Sequence, residues 1–170
     1  VSGRVETEQA LVVLPQQRDV KVRGLQVHGR SQVSAEAGRR VAVNLGGVEV
    51  SDVARGQTLV DRDAFEPTRR LDARPDLLDA ARPLRPNARV RFHCGTAELL
   101  GRVALTGRPV SGNPGGDTEG TAPREIYARI HLEAPAVVTR GDRFILRAYS
   151  PLATIGGGVV LDPRPPRVSI

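Results

Sequence analysis

Strict alternation of apolar and polar residues is the feature that most constrains how this chain can fold. Between Ile126 and Glu133, every second residue is aliphatic and the residues between them are polar. The same period recurs in Asp19–His28, Arg39–Leu45 and Arg89–His93. Because successive side chains of a strand point to opposite faces, these runs predict half-buried β-strands.

Four further apolar runs are predicted to be strands: Ala10–Leu14, Leu99–Leu105, Arg143–Tyr149 and Ile155–Leu161. The 18 glycines and 13 prolines supply turns between the runs. No long helical periodicity appears, and only Val48–Ala54 could hold a helical turn. Many short strands joined by turns are typical of sandwiches and barrels, so the predicted fold class is all-β.

A charged, proline-containing segment, Asp61–Pro67, marks the predicted boundary between two β-barrel domains. The first domain is predicted to cover residues 1–66 and the second residues 67–170. The chain opens as though a strand were already under way, so we expect the first barrel to lack its N-terminal strand or strands. Ser111–Pro123, rich in glycine and without a core pattern, is predicted to be a surface loop.

The charge balance indicates a polyanionic partner. The net charge is +6 and the sequence pI is about 10.8, and Lys21 is the only lysine. Arginine binds phosphate through two parallel hydrogen bonds, which favours nucleic acid; the alternative is an ordinary surface rich in arginine. Aromatic residues make up only 3% of the chain, which argues against stacking of single-stranded bases.

Composition also indicates the cellular environment in which the protein acts. No apolar run approaches the ~20 residues of a membrane span, so we expect no membrane partner. The single cysteine, Cys94, fits a reducing, cytoplasmic environment. Methionine is absent, and we expect the chain to be part of a longer protein.

The sequence predicts no catalytic residue, no metal site and no cofactor. His93 and Cys94 are neighbours on a predicted strand, so their side chains point to opposite faces and do not form a nucleophile pair. Gly156–Gly158 lacks the residues that follow a phosphate-binding loop, and is better explained by a bending strand. A β-barrel enzyme that uses these residues with His131 remains an alternative.

Four segments carry a resemblance to a known family. They are Val20–Gly29 (VKVRGLQVHG), Ala37–Gly47 (AGRRVAVNLGG), Phe92–Glu98 (FHCGTAE) and Tyr149–Leu161 (YSPLATIGGGVVL). Together they resemble the bacterial selenocysteine-specific translation elongation factors, which are related to elongation factor Tu. The first two are similar to the second domain of that family, and the last two to its third domain.

The resemblance implies a non-catalytic function: these barrels would bind selenocysteinyl-tRNA, which the factor delivers to the ribosome in a GTP-dependent reaction. GTP, magnesium and GTP hydrolysis would belong to a missing N-terminal GTPase domain. An mRNA hairpin would be bound by missing C-terminal domains. The alternative within translation is the tRNA-binding part of another GTPase, such as elongation factor Tu or an initiation-factor relative.

The resemblance also implies seven residues that bind the aminoacyl group or the tRNA. These are Gln26, His28 and Arg30 near the terminal adenosine, Arg40 in the selenocysteine pocket, and His93, Gly95 and Thr96 facing the tRNA. A selenol is more acidic than a thiol and ionises near neutral pH, so a fixed guanidinium favours it over neutral serine. One such charge-assisted contact contributes about 1.5–3 kcal/mol.

Overall fold

The computed structural model describes residues 3–78, 84–106 and 126–166, and the predicted loop at 111–123 lies outside them. The chain divides into two compact units, Val1–Glu66 and Pro67–Ile170. The all-β prediction is confirmed: the described residues form strands apart from one short 3₁₀ helix, Val50–Asp52, inside the predicted helical turn. Within this part of the chain, no helix has the length and hydropathy of a membrane span.

The first unit consists of two antiparallel sheets. Its strands are β1 (Arg4–Glu6), β2 (Ala10–Leu14), β3 (Arg18–Val27), β4 (Arg30–Gln32), β5 (Ser34–Glu36), β6 (Val41–Gly46) and β7 (Thr58–Val60). β1 pairs with β5, and the larger sheet has the order β4-β3-β2-β7, with β6 also paired to β3. The ten-residue β3 therefore contacts three partner strands and organises this unit.

A bulge in β3 lets the whole strand face one core. The register with β6 shifts between Val22 and Gly24, which leaves Arg23 as the extra residue. Val22 is buried before the bulge and Leu25 is buried after it, although an unbroken alternation would place them on opposite faces. Both halves of β3 thus contribute to one cluster, whose buried members are Leu11, Val13, Val20, Val22, Leu25, Val27 and Ala35.

The second unit is a closed antiparallel barrel of six strands in the order β10-β11-β8-β13-β12-β9. The strands are β8 (Thr68–Leu77), β9 (Ala88–Cys94), β10 (Ala97–Thr106), β11 (Tyr127–Ala136), β12 (Arg143–Ala148) and β13 (Thr154–Asp162). Phe92 and Phe144 stack at the centre with ring centroids 5.1 Å apart. Aliphatic side chains from all six strands surround them, as the scarcity of aromatic residues predicts.

The glycine triplet lies within β13, where neighbouring strands come close. A Cβ atom at Gly158 would lie 2.5 Å from the carbonyl oxygen of Arg74 and 2.5 Å from the ring of Phe144. Only a residue without a side chain fits between these atoms. The triplet therefore serves barrel closure, which agrees with the interpretation of a bending strand.

We predict that Gly158→Ala lowers the free energy of unfolding by about 1–3 kcal/mol, because the added methyl group must displace backbone or the Phe144 ring. Urea unfolding followed by circular dichroism measures the change. Gly24→Ala is the control, since its Cβ would meet only the Asn44 side chain, at 3.9 Å. An equal loss in both variants would contradict the steric explanation.

Candidate functional site

A tight turn presents His28 at one end of the first unit. Val27 of β3 pairs with Arg30 of β4, so His28 and Gly29 form a two-residue hairpin loop. Their φ angles are 51° and 75°, and two positive φ values in such a loop are typical of a type I′ turn. Histidine is tolerated in this backbone region more readily than most residues. The exposed imidazole is therefore held at the tip of the hairpin.

The register of β3 brings the four predicted residues of this unit to the same end of the sheet. Val27 pairs with Val41 of β6 as well as with Arg30, and Arg40 precedes Val41 directly. Gln26 lies one residue before Val27 and is exposed, as are Arg30 and Arg40. Among the described residues, neither arginine forms an ion pair or a side-chain hydrogen bond.

A polar cleft of about 510 Å³ adjoins Gln26. Its polar lining residues are Thr7, Arg23, Gln26, Ser31, Gln32 and Asn44. Arg23, the extra residue of the bulge, lines the cleft together with the small residues Gly24 and Ala42. Hydroxyl and amide groups can donate and accept hydrogen bonds, and Leu25 and Val43 add apolar surface, so the cleft suits a ligand with both polar and apolar parts.

The sequence does not predict most of the residues that line this cleft. The alternation in β6 put Asn44 on the polar face, but nothing in the sequence showed that Ser31 and Gln32 would pair beside β3. Those two residues reach the cleft because β4 returns directly after the His28–Gly29 turn. The signal was the turn itself, since a two-residue loop forces the following residues to pair with the preceding ones.

Arg39 and Arg40 are adjacent but differ in their surroundings. Arg39 lines a separate groove together with Arg4, Glu36 and the apolar Val41 and Leu59. Arg40 does not line that groove. The pair therefore offers one candidate binding arginine and one matched reference.

The three residues predicted in the second unit lie at the hairpin between β9 and β10. Cys94 pairs with Ala97, so Gly95 and Thr96 form the turn, in which Gly95 has a φ of 56°. Both turn residues are exposed. His93 is half-buried, and its Nε2 atom is buried without a hydrogen-bond partner among the described residues.

A carboxylate lies directly across from His93. Glu98 pairs with His93 in the register of β9 and β10, and it forms an ion pair with Arg91 at 2.6 Å. The hydrogen bond from Arg91 lowers the pKa of Glu98, and the charges of His93, Arg91 and Arg147 lower it further. Glu98 is therefore ionised at neutral pH within a basic environment that the sequence analysis did not single out.

The chain is similar to proteins of one known family. Residues 72–167 match the family described as selenocysteine-specific elongation factor, beta-barrel domain. The chain is 32% identical to the selenocysteine-specific elongation factor of Desulfomicrobium baculatum over 96% of its length. It is 25% identical to that of Escherichia coli K12 over 98% of its length. It spans about a quarter of each relative, 24% in both cases.

Solved structures of the same kind share the fold. The elongation factor SelB of Methanococcus maripaludis, in complex with the GTP analogue GPPNHP, superposes with a TM-score of 0.78 at 24% identity. The match covers 96% of this chain and 38% of that one. A bacterial selenocysteine-specific elongation factor, EF-Sec, superposes with a TM-score of 0.74 at 26% identity, over 95% of this chain and 24% of that one.

Cys94 and His131 lie too far apart in the barrel to form a nucleophilic pair. Burial raises the pKa of the Cys94 thiol, and the charge of Asp142 raises it further, so the reactive thiolate is disfavoured. His131 pairs with Arg102, which pairs with Arg89, five residues along β9 from Cys94. Five residues of a strand span roughly 16 Å. Within the described ranges, no three metal-ligating side chains come together.

We predict that His28→Val destabilises the first unit by about 1–2 kcal/mol more than His28→Asn does, because a branched side chain opposes the positive φ of the turn and asparagine favours it. Urea unfolding of the two variants and the unchanged chain tests this. Equal stability of the valine and asparagine variants would show that the turn has another conformation.

We also predict that Cys94 reacts with a disulfide reagent more slowly than free cysteine at pH 7–8, with a rate that rises towards alkaline pH. The reason is its raised pKa, which moves thiolate formation to higher pH. Absorbance of the released thiol follows the reaction, and urea-unfolded protein is the reference. Faster reaction in the folded than in the unfolded protein would support Cys94 as a candidate nucleophile.

Proposed function

Since the chain belongs to the selenocysteine-specific elongation factor family, we propose that it is the part of such a factor that binds selenocysteinyl-tRNA for delivery to the ribosome. The first unit holds the aminoacyl end and the second unit contacts the tRNA body. The chain itself catalyses no reaction. GTP and magnesium bind a separate GTPase domain of the whole protein, and C-terminal domains bind an mRNA hairpin. The protein acts in the cytoplasm.

The observation that carries the proposal is the position of Arg40. Arg40 is exposed, forms no ion pair among the described residues, and directly precedes Val41, which pairs with Val27 at the His28–Gly29 end of β3. Four other cations of this unit have carboxylate partners: Arg4 with Glu6, Arg18 with Asp52, Lys21 with Glu8 and Arg62 with Asp19. Arg40 is thus available to an anionic ligand.

The chemistry of the cargo fits this arrangement. The selenocysteine side chain is an anion near neutral pH, whereas serine is neutral, and the two differ at one atom. A hydrogen bond to a charged group contributes about 1.5–3 kcal/mol, which corresponds to roughly one to two decades of discrimination. The polar cleft beside Gln26 offers hydroxyl and amide groups for the ribose and base of the terminal nucleotide.

The hairpin of the second unit supplies a second contact. Gly95 and Thr96 are exposed at its tip, and His93 lies at its base. A glycine at a tip lets the backbone approach a ligand closely, and backbone amides are good donors to phosphate. This hairpin is proposed to contact the tRNA through its backbone, without reading the base sequence.

We predict that Arg40→Ala reduces the protection of selenocysteinyl-tRNA against ester hydrolysis by about ten- to a hundredfold in the concentration of chain required. Protection of the seryl ester on the same tRNA should not change, because serine offers no charge. Hydrolysis is followed as the loss of labelled amino acid from precipitated tRNA. Arg39→Ala is the matched control, since Arg39 lines the other groove.

Two outcomes would contradict the assignment. Equal protection of both esters by the unchanged chain would mean that the barrels hold tRNA without recognising its amino acid. Equal losses in the Arg40 and Arg39 variants would mean that only the total charge matters.

A further inference from the structure

The outer face of β9, β10 and β12 places like charges directly opposite one another. Arg91 pairs with Arg147 across β9 and β12, and Arg89 pairs with Arg102 across β9 and β10. Like charges in directly opposed positions of an antiparallel pair are destabilising. Two such pairs, two residues apart along β9, need an explanation beyond folding. The four residues Arg89, Arg91, Arg102 and Arg147 are called the arginine face below.

Within the described part of the chain, only one member of each pair has a carboxylate partner. Arg89 forms two hydrogen bonds with Glu133, both 2.7 Å, and Arg91 bonds Glu98 at 2.6 Å. Arg102 donates to the backbone carbonyl of Asn87. Among the described residues, Arg147 forms neither an ion pair nor a side-chain hydrogen bond. The face therefore carries two positive charges more than it has negative ones.

Tyr149 holds two of the guanidinium groups in place. The guanidinium carbon of Arg89 lies 4.5 Å from the centre of the Tyr149 ring, and that of Arg91 lies 5.7 Å from it. Both distances are within the range of cation–π attraction. A guanidinium that is already oriented loses less freedom when it binds a ligand, so the ring prepares the face for binding.

Buried polar atoms without partners are concentrated at the same place. Three of the four such side-chain atoms in the described part of the chain belong to this cluster: Arg91 Nε, Arg147 Nε and His93 Nε2. Buried polar atoms of native proteins nearly always have partners. Their concentration here indicates that the cluster is arranged for a purpose other than the stability of the barrel.

We propose that the arginine face is a binding site for the phosphodiester backbone of RNA, and that Glu98 is an internal competitor that phosphate displaces from Arg91. A phosphate group has enough oxygen acceptors to bridge two opposed guanidinium groups, whereas each glutamate satisfies only one of them. The two arginine pairs are roughly 7 Å apart along β9, which suits neighbouring phosphates on one strand. The inference rests on the proposed function and adds residues that the resemblance does not imply.

The test is binding of the complete 170-residue chain to an unacylated selenocysteine tRNA transcript, so that the aminoacyl group plays no part. Fluorescence anisotropy at several salt concentrations gives the affinity and its salt dependence. Arg91→Gln and Arg147→Gln should each weaken binding about five- to tenfold and lower the salt slope by about one, the value for a lost phosphate contact. Glu98→Gln should strengthen binding several-fold, which a misfolded variant would not do.

Arg143→Gln is the matched control. Arg143 is an exposed arginine four residues from Arg147 on β12, so it shares the strand, the charge and the side of the sheet. Its replacement should leave the affinity within about twofold. Equal effects of the Arg143 and Arg147 variants would overturn the proposal in favour of unspecific attraction. Unchanged affinity and salt slope in the Arg91 and Arg147 variants would overturn it too, and would direct attention to an acidic protein surface.

A second measurement separates this inference from the proposed function. Arg147→Gln should weaken the protection of selenocysteinyl and seryl esters by the same factor, leaving their ratio unchanged. If the ratio still depends on Arg40 while tRNA affinity ignores Arg91 and Arg147, the arginine face is not an RNA site and the proposed function stands. If the ratio does not depend on Arg40 but tRNA affinity depends on Arg91 and Arg147, the arginine face is an RNA site and the proposed role of Arg40 fails.

Discussion

The register of antiparallel strand pairing is the constraint on which both units depend. Successive side chains of a strand alternate between its two faces. Each register that buries one set of side chains therefore also determines which residues of neighbouring strands lie opposite each other on the outer face. In the second unit, the pairing that buries Phe92 against Phe144 also sets Arg91 opposite Arg147. In the first unit, the pairing that buries Val27 also brings Arg40 beside the His28–Gly29 turn.

This coupling gives the two candidate regions different characters. Arg40 directly precedes a strand, where strand pairing imposes no opposed charge on it. The arginine face lies in the middle of three paired strands, where its charges are held together by the same hydrogen bonds that close the barrel. The repulsion between its charges is offset by the stability of the core beneath it, in which Val90, Phe92 and Leu146 are fully buried.

The sequence predicted the long strands well because they show several full periods. Ala10–Leu14 was predicted with the bounds that β2 has in the structure, and β11 and β13 differ from prediction by few residues. The strands β1, β4, β5 and β7 were not predicted, because three residues are too few to show a period. The alternation predicts a strand over Arg39–Leu45 that includes Arg40, whereas β6 begins one residue after Arg40, at Val41. The pairing of Arg91 with Arg147 depends on a register between segments about 50 residues apart, which no local pattern contains.

The positive φ of His28 restricts how this part of the molecule can vary over evolutionary time. A type I′ turn admits glycine, asparagine, aspartate and a few other residues at that position, and it disfavours branched side chains. Few point mutations at His28 are therefore compatible with the turn, and they introduce a narrow range of side chains. Insertion of one residue would relax the backbone requirement and admit almost any side chain, since three-residue hairpin loops are also common. New side chains at this end of the sheet are thus more accessible through a change in loop length than through a change in residue type.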